Sequence, residues 1–348
     1  MKNDIKFTVT EDGTTGLYNN LIKDIYHSRT GALKEAFEKF IYPAEIEQLL
    51  KCKNKTNVLD ICCGTCYNTK AFLSLVNGEN VRVDCLDISK EIVFLSPFLN
   101  DGIMDIEMKI YILFEMYRNK FEIGDILNNL KQYNTDENNP YFNSAIVSFL
   151  KDFLINPHIN EPINNYLSFL HNIYYNYISI DNRFSKNTNK YANSKIQFFI
   201  GDARDTLRLL NSVYDVVFLD AFSPQIDPTL WTIDFLSLLK QKLNYNSVIL
   251  SYSKSTPFRS ALKELGFVTG KTFIENNDMG TIASLNKDKI KFPLNEYDIK
   301  LLDTKSGIPY RDADLNSTSE KILSGRKLEM ELSHRMSHTK FLKFYKKQ

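Results

Sequence analysis

The sequence predicts an α/β protein, a doubly wound and mostly parallel sheet interrupted by a long helical insertion. Three observations carry that prediction. A β–loop–α–β unit spans residues 57–87, strand–helix alternation resumes near residue 195, and the stretch between them lacks the rhythm of a sheet.

Residues 1–56 read as an N-terminal extension. A short extended segment at 5–10 meets a polar turn around Asp12 and Gly13. A helix follows, with apolar residues recurring at Ala32, Leu33, Ala36, Phe37 and Phe40 before Pro43. The main domain spans 57–290. Its first strand is the apolar run 57–62, its first helix 68–76, and its second strand 81–87 alternates in polarity and ends in an acid. Residues 88–195 carry long aliphatic and aromatic stretches with Asn-rich breaks at 133–139 and 186–194. They form a mainly helical insertion, because compact domains do not carry structureless loops of that length.

Beyond the insertion, 196–200 is a strand followed by Gly201-Asp202-Ala203, and 213–219 is a buried-strand run ending at Asp220. Residues 231–243 are helical and 247–252 are a strand. The helix 258–265 closes on Gly266 as its C′ residue, and 266–274 with 280–285 form a terminal hairpin pair. A C-terminal extension with a basic helix occupies 291–348. No internal repeat is present.

Composition excludes several classes. Apolar residues make up 43% and charged residues 24%, as in ordinary soluble proteins. A net charge of +1 gives no global bias toward nucleic acid, which leaves a local basic cluster as the route to one. Residues 321–348 hold eight Lys and Arg against Glu329 and Glu331, and His334 and His338 fall one helical turn apart within that face. The apolar run 213–221 is far short of a membrane span, and Met1-Lys2-Asn3-Asp4 opens no signal peptide. Five cysteines without framework spacing suit a reducing cytoplasm. No membrane association and no protein partner is read from the sequence.

A nucleoside cofactor on such a sheet binds at the carboxyl ends of the strands, at the switch point. Asp60, Asp87 and Asp202 stand at or after three successive strand ends. The acid after the second strand accepts both ribose hydroxyls, and the one after the third takes an adenine amino group, with Ala203 beside it. The plain structural reading of each is a helix-capping acid. Cys62-Cys63-Gly64-Thr65-Cys66 follows Asp60 and leads to Asn68. It resembles the first motif of methyltransferases, acid-x-Gly-x-Gly-x-Gly, with only Gly64 kept and cysteine at the outer two glycine positions. A positive φ at either cysteine would cost roughly 1–2 kcal/mol. A redox or zinc reading of Cys63 and Cys66 is weak, since Cys52 and Cys85 form no second pair and zinc needs two more ligands; no metal site is expected.

Asp220-Ala221-Phe222-Ser223-Pro224 is the most informative segment. An acid ending the fourth strand faces the transferable methyl group. A carboxylate there holds an ammonium acceptor, takes its proton and orients the nitrogen. Phe222 is placed to stack on a base or to contact the sulfonium cation, and Ser223 lies beside it.

These residues resemble the MnmC-like methyltransferases, a family that methylates 5-aminomethyl-2-thiouridine in tRNA. The likeness covers nearly the whole chain outside the insertion. It runs through Tyr26-His27-Ser28, Gly64 to Asn68, Asp220 to Pro224 and Leu230-Trp231-Thr232. It continues in Tyr252-Ser253, Gly280 to Ser284, and Gly307 to Asp312. It implies a Rossmann-like class I fold and S-adenosylmethionine as cofactor, held by Asp60, Gly64, Asn68, Asp87, Asp202 and Ala203. It also implies tRNA as partner and Asp220 as catalytic acid, with Tyr26, His27, Phe222 and Ser223 toward the acceptor. Some members carry a fused FAD-dependent oxidase domain; no second nucleotide-binding unit is seen, so the stand-alone form is expected. The rival readings are an aminopropyltransferase or small-molecule N-methyltransferase on the same core, or a non-catalytic RNA-binding protein with a decayed cofactor loop.

Overall fold

The computed structural model describes residues 5–19, 24–25, 30–102, 106–119 and 190–345. A seven-stranded sheet is built from β4 (Thr56–Ile61), β5 (Val81–Asp87), β6 (Ser194–Ile200), β7 (Tyr214–Leu219), β8 (Leu243–Ser251), β9 (Val268–Ile274) and β10 (Asn277–Ser284). Its order is β6-β5-β4-β7-β8-β10-β9, which counted from β4 reads 3-2-1-4-5-7-6. β4, β7 and β8 run parallel, and β10 is antiparallel to both β8 and β9. The strand order therefore reverses between β4 and β7, which makes that pair the switch point of the sheet.

Contacts divide the chain into two units interleaved along the sequence. One takes residues 1–37, 46–56 and 63–199, the other 38–45, 57–62 and 200–348. In the first unit, β1 (Ile5–Val9), β2 (Thr15–Asn19) and β3 (Asp24–Ile25) form a small antiparallel sheet. The sequence showed its first strand and its turn but not β2, where Gly16 breaks the alternation. Asp12 organises the turn by accepting from Thr10, Thr14 and the Lys34 backbone N–H at the start of α1 (Ala32–Ala36). That helix continues as a π-turn over Phe37–Ile41. α2 (Ile46–Cys52) leads into β4, and α3 (Tyr67–Leu73) follows it with all seven residues buried. Of the insertion, α4 (Lys90–Leu95) and α5 (Ile106–Arg118) are described and helical, and residues 120–189 lie outside the described residues.

In the second unit every residue of β7 is buried, and Phe40 meets Phe218 edge-on at 5.7 Å. Each such aromatic or aliphatic burial stabilises by roughly 1.5–3 kcal/mol. α6 (Ala203–Leu209), α7 (Ile233–Lys240) and α8 (Thr256–Glu264) supply the helices between strands. The expected helix 231–243 is shorter. Thr229–Trp231 is a 3-10 turn, and Thr232 stops it by turning extended and capping α7 through the Phe235 N–H. After a turn at Gln241 and Lys242, β8 begins at Leu243, four positions earlier than the sequence suggested. Gly266 closes α8 at φ 85°, the left-handed C′ conformation. α9 (Glu296–Leu302), α10 (Ser319–Leu332) and α11 (His338–Tyr345) complete the unit. Ser333 is extended at φ −71° and ψ 138° and ends α10, so His334 and His338 stand on separate segments rather than on successive turns of one helix. No described helix is long and apolar enough to cross a membrane.

Candidate active site

The loop after β4 keeps the backbone of a glycine motif without its glycines. Cys62, Gly64 and Cys66 adopt φ values of 61°, 51° and 61°, all left-handed. Close approach of backbone to a ligand needs this conformation at alternate positions, and cysteine is small enough to accept it with strain. In the first unit the loop is tied to β5 by two hydrogen bonds. The Cys63 N–H donates to Leu86 O at 3.1 Å, and the Gly64 N–H donates to Asp87 Oδ2 at 2.8 Å. Asp87 Oδ1 accepts the Ser89 N–H at 2.8 Å, and Ser89 in turn caps α4. Burial pushes the Asp87 carboxyl up to about 6, with the Ser89 and Gly64 N–H groups opposing that rise. Asn68 is buried in the first turn of α3.

Beneath this loop lies a buried polar cluster. Hydrogen bonds from Cys63 and Cys85 hold the Cys66 thiol well below its ordinary value, with Lys70 adding to the pull, while burial pushes Cys63 up. Lys70 is fully buried, donates to Ser96 O at 2.6 Å and pairs with Asp101 at 2.8 Å, which also pairs with Lys109 at 2.9 Å. All five cysteines are free. No group of three His, Cys, Asp or Glu among the described residues is arranged to hold a metal ion.

In the second unit, Asp60 is fully buried near the end of β4, in register with Phe218. The Asp220 N–H donates to Ile61 O at 3.1 Å, one step beyond the parallel ladder, so Asp220 stands half-exposed at the carboxyl edge of the switch point. The loop that follows is pinned carbonyl by carbonyl. Tyr252 Oη donates to Ala221 O at 2.8 Å, and Trp231 Nε1 donates to Phe222 O at 2.7 Å. The N–H groups of Ile226 and Asp227 both donate to Ser223 O at 2.9 Å. Trp231 is fully buried, edge-on to Tyr252 at 6.3 Å and to Phe258 at 4.9 Å. Lys39, on the π-turn, lies 5.5 Å from the Tyr252 ring. Phe222 and Ser223 are half-buried within this clamp.

Asp202 caps α6, accepting the Arg204 N–H at 2.9 Å, and grips the Arg204 guanidinium, which reaches across to Asp312 at 2.9 Å. Burial works to raise its carboxyl, and the Arg204 hydrogen bonds and charge outweigh that and hold it low. Ala203 is buried at the first position of the helix. Tyr26 and His27 lie outside the described residues. Sequence reasoning did not reach the Tyr252 and Trp231 clamp or the Arg204 bridge as site features. Both aromatics stand in motifs the family likeness singles out, but their backbone acceptors lie 31 and 9 residues away.

A 3-2-1-4-5-7-6 sheet with a left-handed loop after its first strand is the Rossmann-like class I methyltransferase fold. A family model described as S-adenosyl-L-methionine-dependent methyltransferase matches residues 164–277. An uncharacterized protein of Methanocaldococcus jannaschii is 31% identical over 324 residues, covering 92% of this chain and 71% of that one. The tRNA 5-methylaminomethyl-2-thiouridine biosynthesis bifunctional protein MnmC of Paracidovorax citrulli is 33% identical over 72 residues, which is 21% of this chain and 11% of that protein. The crystal structure of MnmC2 from Aquifex aeolicus shares the fold, with a TM-score of 0.62 and 24% identity over 94% of this chain and 85% of that one. The chain belongs to the same family as the Methanocaldococcus jannaschii protein and is an S-adenosyl-L-methionine-dependent methyltransferase, with S-adenosylmethionine as its cofactor. The left-handed loop and the buried, doubly hydrogen-bonded Asp87 fit that cofactor.

Proposed function

We propose that this enzyme methylates the primary amine of an aminomethyl group on a modified wobble uridine of tRNA, converting 5-aminomethyl-2-thiouridine to 5-methylaminomethyl-2-thiouridine. The observation that carries the reading is Asp220, half-exposed at the carboxyl edge of the switch point on a loop with three successive carbonyls pinned. The likeness over 72 residues to a tRNA 5-methylaminomethyl-2-thiouridine biosynthesis protein supports the acceptor.

Bound S-adenosylmethionine supplies a methyl group on a positively charged sulfur. Asp87 would accept from the ribose hydroxyls, with Gly64 and Asn68 lining the loop; Asp60, Asp202 and Ala203 are the further cofactor residues that the family likeness implies. An alkylamine is protonated at neutral pH and has no free lone pair. The Asp220 carboxylate holds that ammonium, takes one of its protons at an Oδ atom and leaves the lone pair directed for attack. Phe222 offers an aromatic face to the base, and Ser223 a hydroxyl beside it. The Lys and Arg of the C-terminal helices give phosphates an electrostatic track.

Labelled S-adenosylmethionine incubated with tRNA bearing the free amine tests the reading. Transfer to that nucleoside is expected, falling about 10²–10⁴-fold in Asp220→Asn with cofactor affinity held within about twofold. Label that goes to a polyamine or another small amine instead favours the small-molecule alternatives. Absence of cofactor binding by calorimetry removes the catalytic reading.

A further inference from the structure

A basic recess among the described residues is remote in sequence from the Asp220 loop. A groove of about 330 Å³ opens against α10, and Lys305, Tyr310, Arg326, Lys327 and Glu331 are among the residues lining it. Arg326 is half-buried and held in one orientation. Its Nε donates to Ile308 O at 2.6 Å, one terminal nitrogen donates to Ser306 O at 2.9 Å, and its central carbon lies 4.7 Å from the buried Tyr310 ring. All of these partners are neutral.

Two acids lie near: Glu331 lines the groove, and Glu329 pairs with Arg311 at 3.2 Å while also acting on the Arg326 charge from beyond ion-pair distance. Among the described residues no carboxylate comes within ion-pair distance of Arg326, Lys305 or Lys327, and Lys305 reaches only the backbone oxygen of Glu331. Burial pulls the Arg326 guanidinium below its ordinary value, against the opposing pull of Tyr310 and Glu329. An isolated cation in that position is costly, and an anion bound in the groove offsets the cost. A planar guanidinium already fixed in place, with two ammonium groups beside it, suits the tetrahedral oxygens of a phosphate.

We propose that this groove is a phosphodiester-binding subsite for RNA, with Arg326 as the oriented donor and Lys305 and Lys327 as flanking point charges. The assignment rests on the tRNA reading above. It places strand-positioning contacts on α10, which carry register rather than base identity.

The test uses the full chain and a labelled, unmodified tRNA transcript, with binding followed by anisotropy across a salt series. Lys305→Gln with Lys327→Gln leaves the Arg326 carbonyl contacts intact, so the fold is retained. The double variant is expected to bind tRNA about 3–10-fold more weakly at low salt, with the slope of log affinity against log salt reduced by roughly 2. Its affinity for S-adenosylmethionine is expected to stay within twofold of wild type. Wild type binding tRNA with the variant unchanged in slope and affinity overturns the groove while leaving the proposed function standing. Failure of wild type to bind tRNA at all removes the tRNA reading and this occupant together. Inorganic phosphate that binds the groove, is lost in the variant and is not displaced by tRNA makes it a free-phosphate site. Polyglutamate that competes where RNA does not makes it a site for an acidic protein; either result overturns the RNA assignment.

Discussion

Cys62 and Cys66 hold the left-handed backbone that the methyltransferase loop ordinarily obtains from glycine. Each carries strain of roughly 1–3 kcal/mol, which the surrounding hydrogen bonds keep in place. Cys62 is half-buried, so little packing is lost when its side chain changes. Cys62→Gly is therefore expected to be as stable as wild type or more so, since relief of strain offsets an entropic cost of about 0.5–1 kcal/mol. Cys62→Val, branched at Cβ, is expected to lose roughly 1–3 kcal/mol in urea unfolding. Equal stability of the two variants would contradict the strain. Asp87 makes a pH prediction. Its folded pKa of about 6 lies above the ordinary 3.8, so the folded chain holds this proton more tightly than the unfolded one. Between about pH 4 and 6 the native state binds more protons, so the Asp87 contribution to stability is full below about 4 and declines until pH passes 6. A rise from 3.8 to about 6 corresponds to on the order of 3 kcal/mol. On the proposed role of Asp87, cofactor affinity runs the other way, because the ionised carboxylate would accept from the ribose hydroxyls. The affinity of wild type for S-adenosylmethionine is expected to fall below pH 6, and that of Asp87→Asn to be weak and nearly flat across the same range.

The loop from Ala221 to Ser223 is an element whose shape comes from its neighbours. Tyr252 and Trp231 donate to two consecutive carbonyls and touch each other edge-on. Removing only the hydroxyl, Tyr252→Phe, keeps the ring contacts and frees the Ala221 carbonyl. Turnover is expected to fall about 10- to 100-fold, with cofactor Kd within twofold, because misplacing a catalytic group by an ångström costs that much. A fall in cofactor affinity equal to the fall in turnover would show general damage instead of lost positioning. This clamp also marks the limit of what the chain reveals before it folds. Asp220 stands out as a candidate because it ends a mostly apolar strand, and Asp87 because it ends an alternating one. Hydrogen bonds from side chains to distant carbonyls leave no periodic trace, and a left-handed cysteine contradicts its own residue preference. The helix boundaries at Trp231 and Ser333 were missed for a related reason, since a single capping residue in extended conformation overrides a favourable run of helix formers.

At the scale of the whole molecule, the sequence showed a sheet interrupted by an insertion, but not that its two compact units share short stretches of chain. Residues 38–45 and 57–62 belong with 200–348, so no single cut separates the units. The reason is the switch-point strand. Val58, Leu59, Asp60 and Ile61 pair in parallel with Val216, Val217, Phe218 and Leu219, and β7 is buried along its whole length. A fragment of residues 200–348 alone loses that partner strand and also Phe40, which packs against Phe218. It would present an apolar strand with a bare row of backbone N–H and C=O groups, the geometry that promotes edge-to-edge aggregation. The fragment is expected to be insoluble, or to give the far-ultraviolet circular dichroism of an unfolded chain. Joining residues 38–62 to 200–348 through a Gly/Ser linker restores β4 and Phe40 together and is expected to return a cooperative thermal transition. A soluble, cooperatively melting 200–348 would show that β7 does not need β4, and would remove the argument that the interleaving is structural.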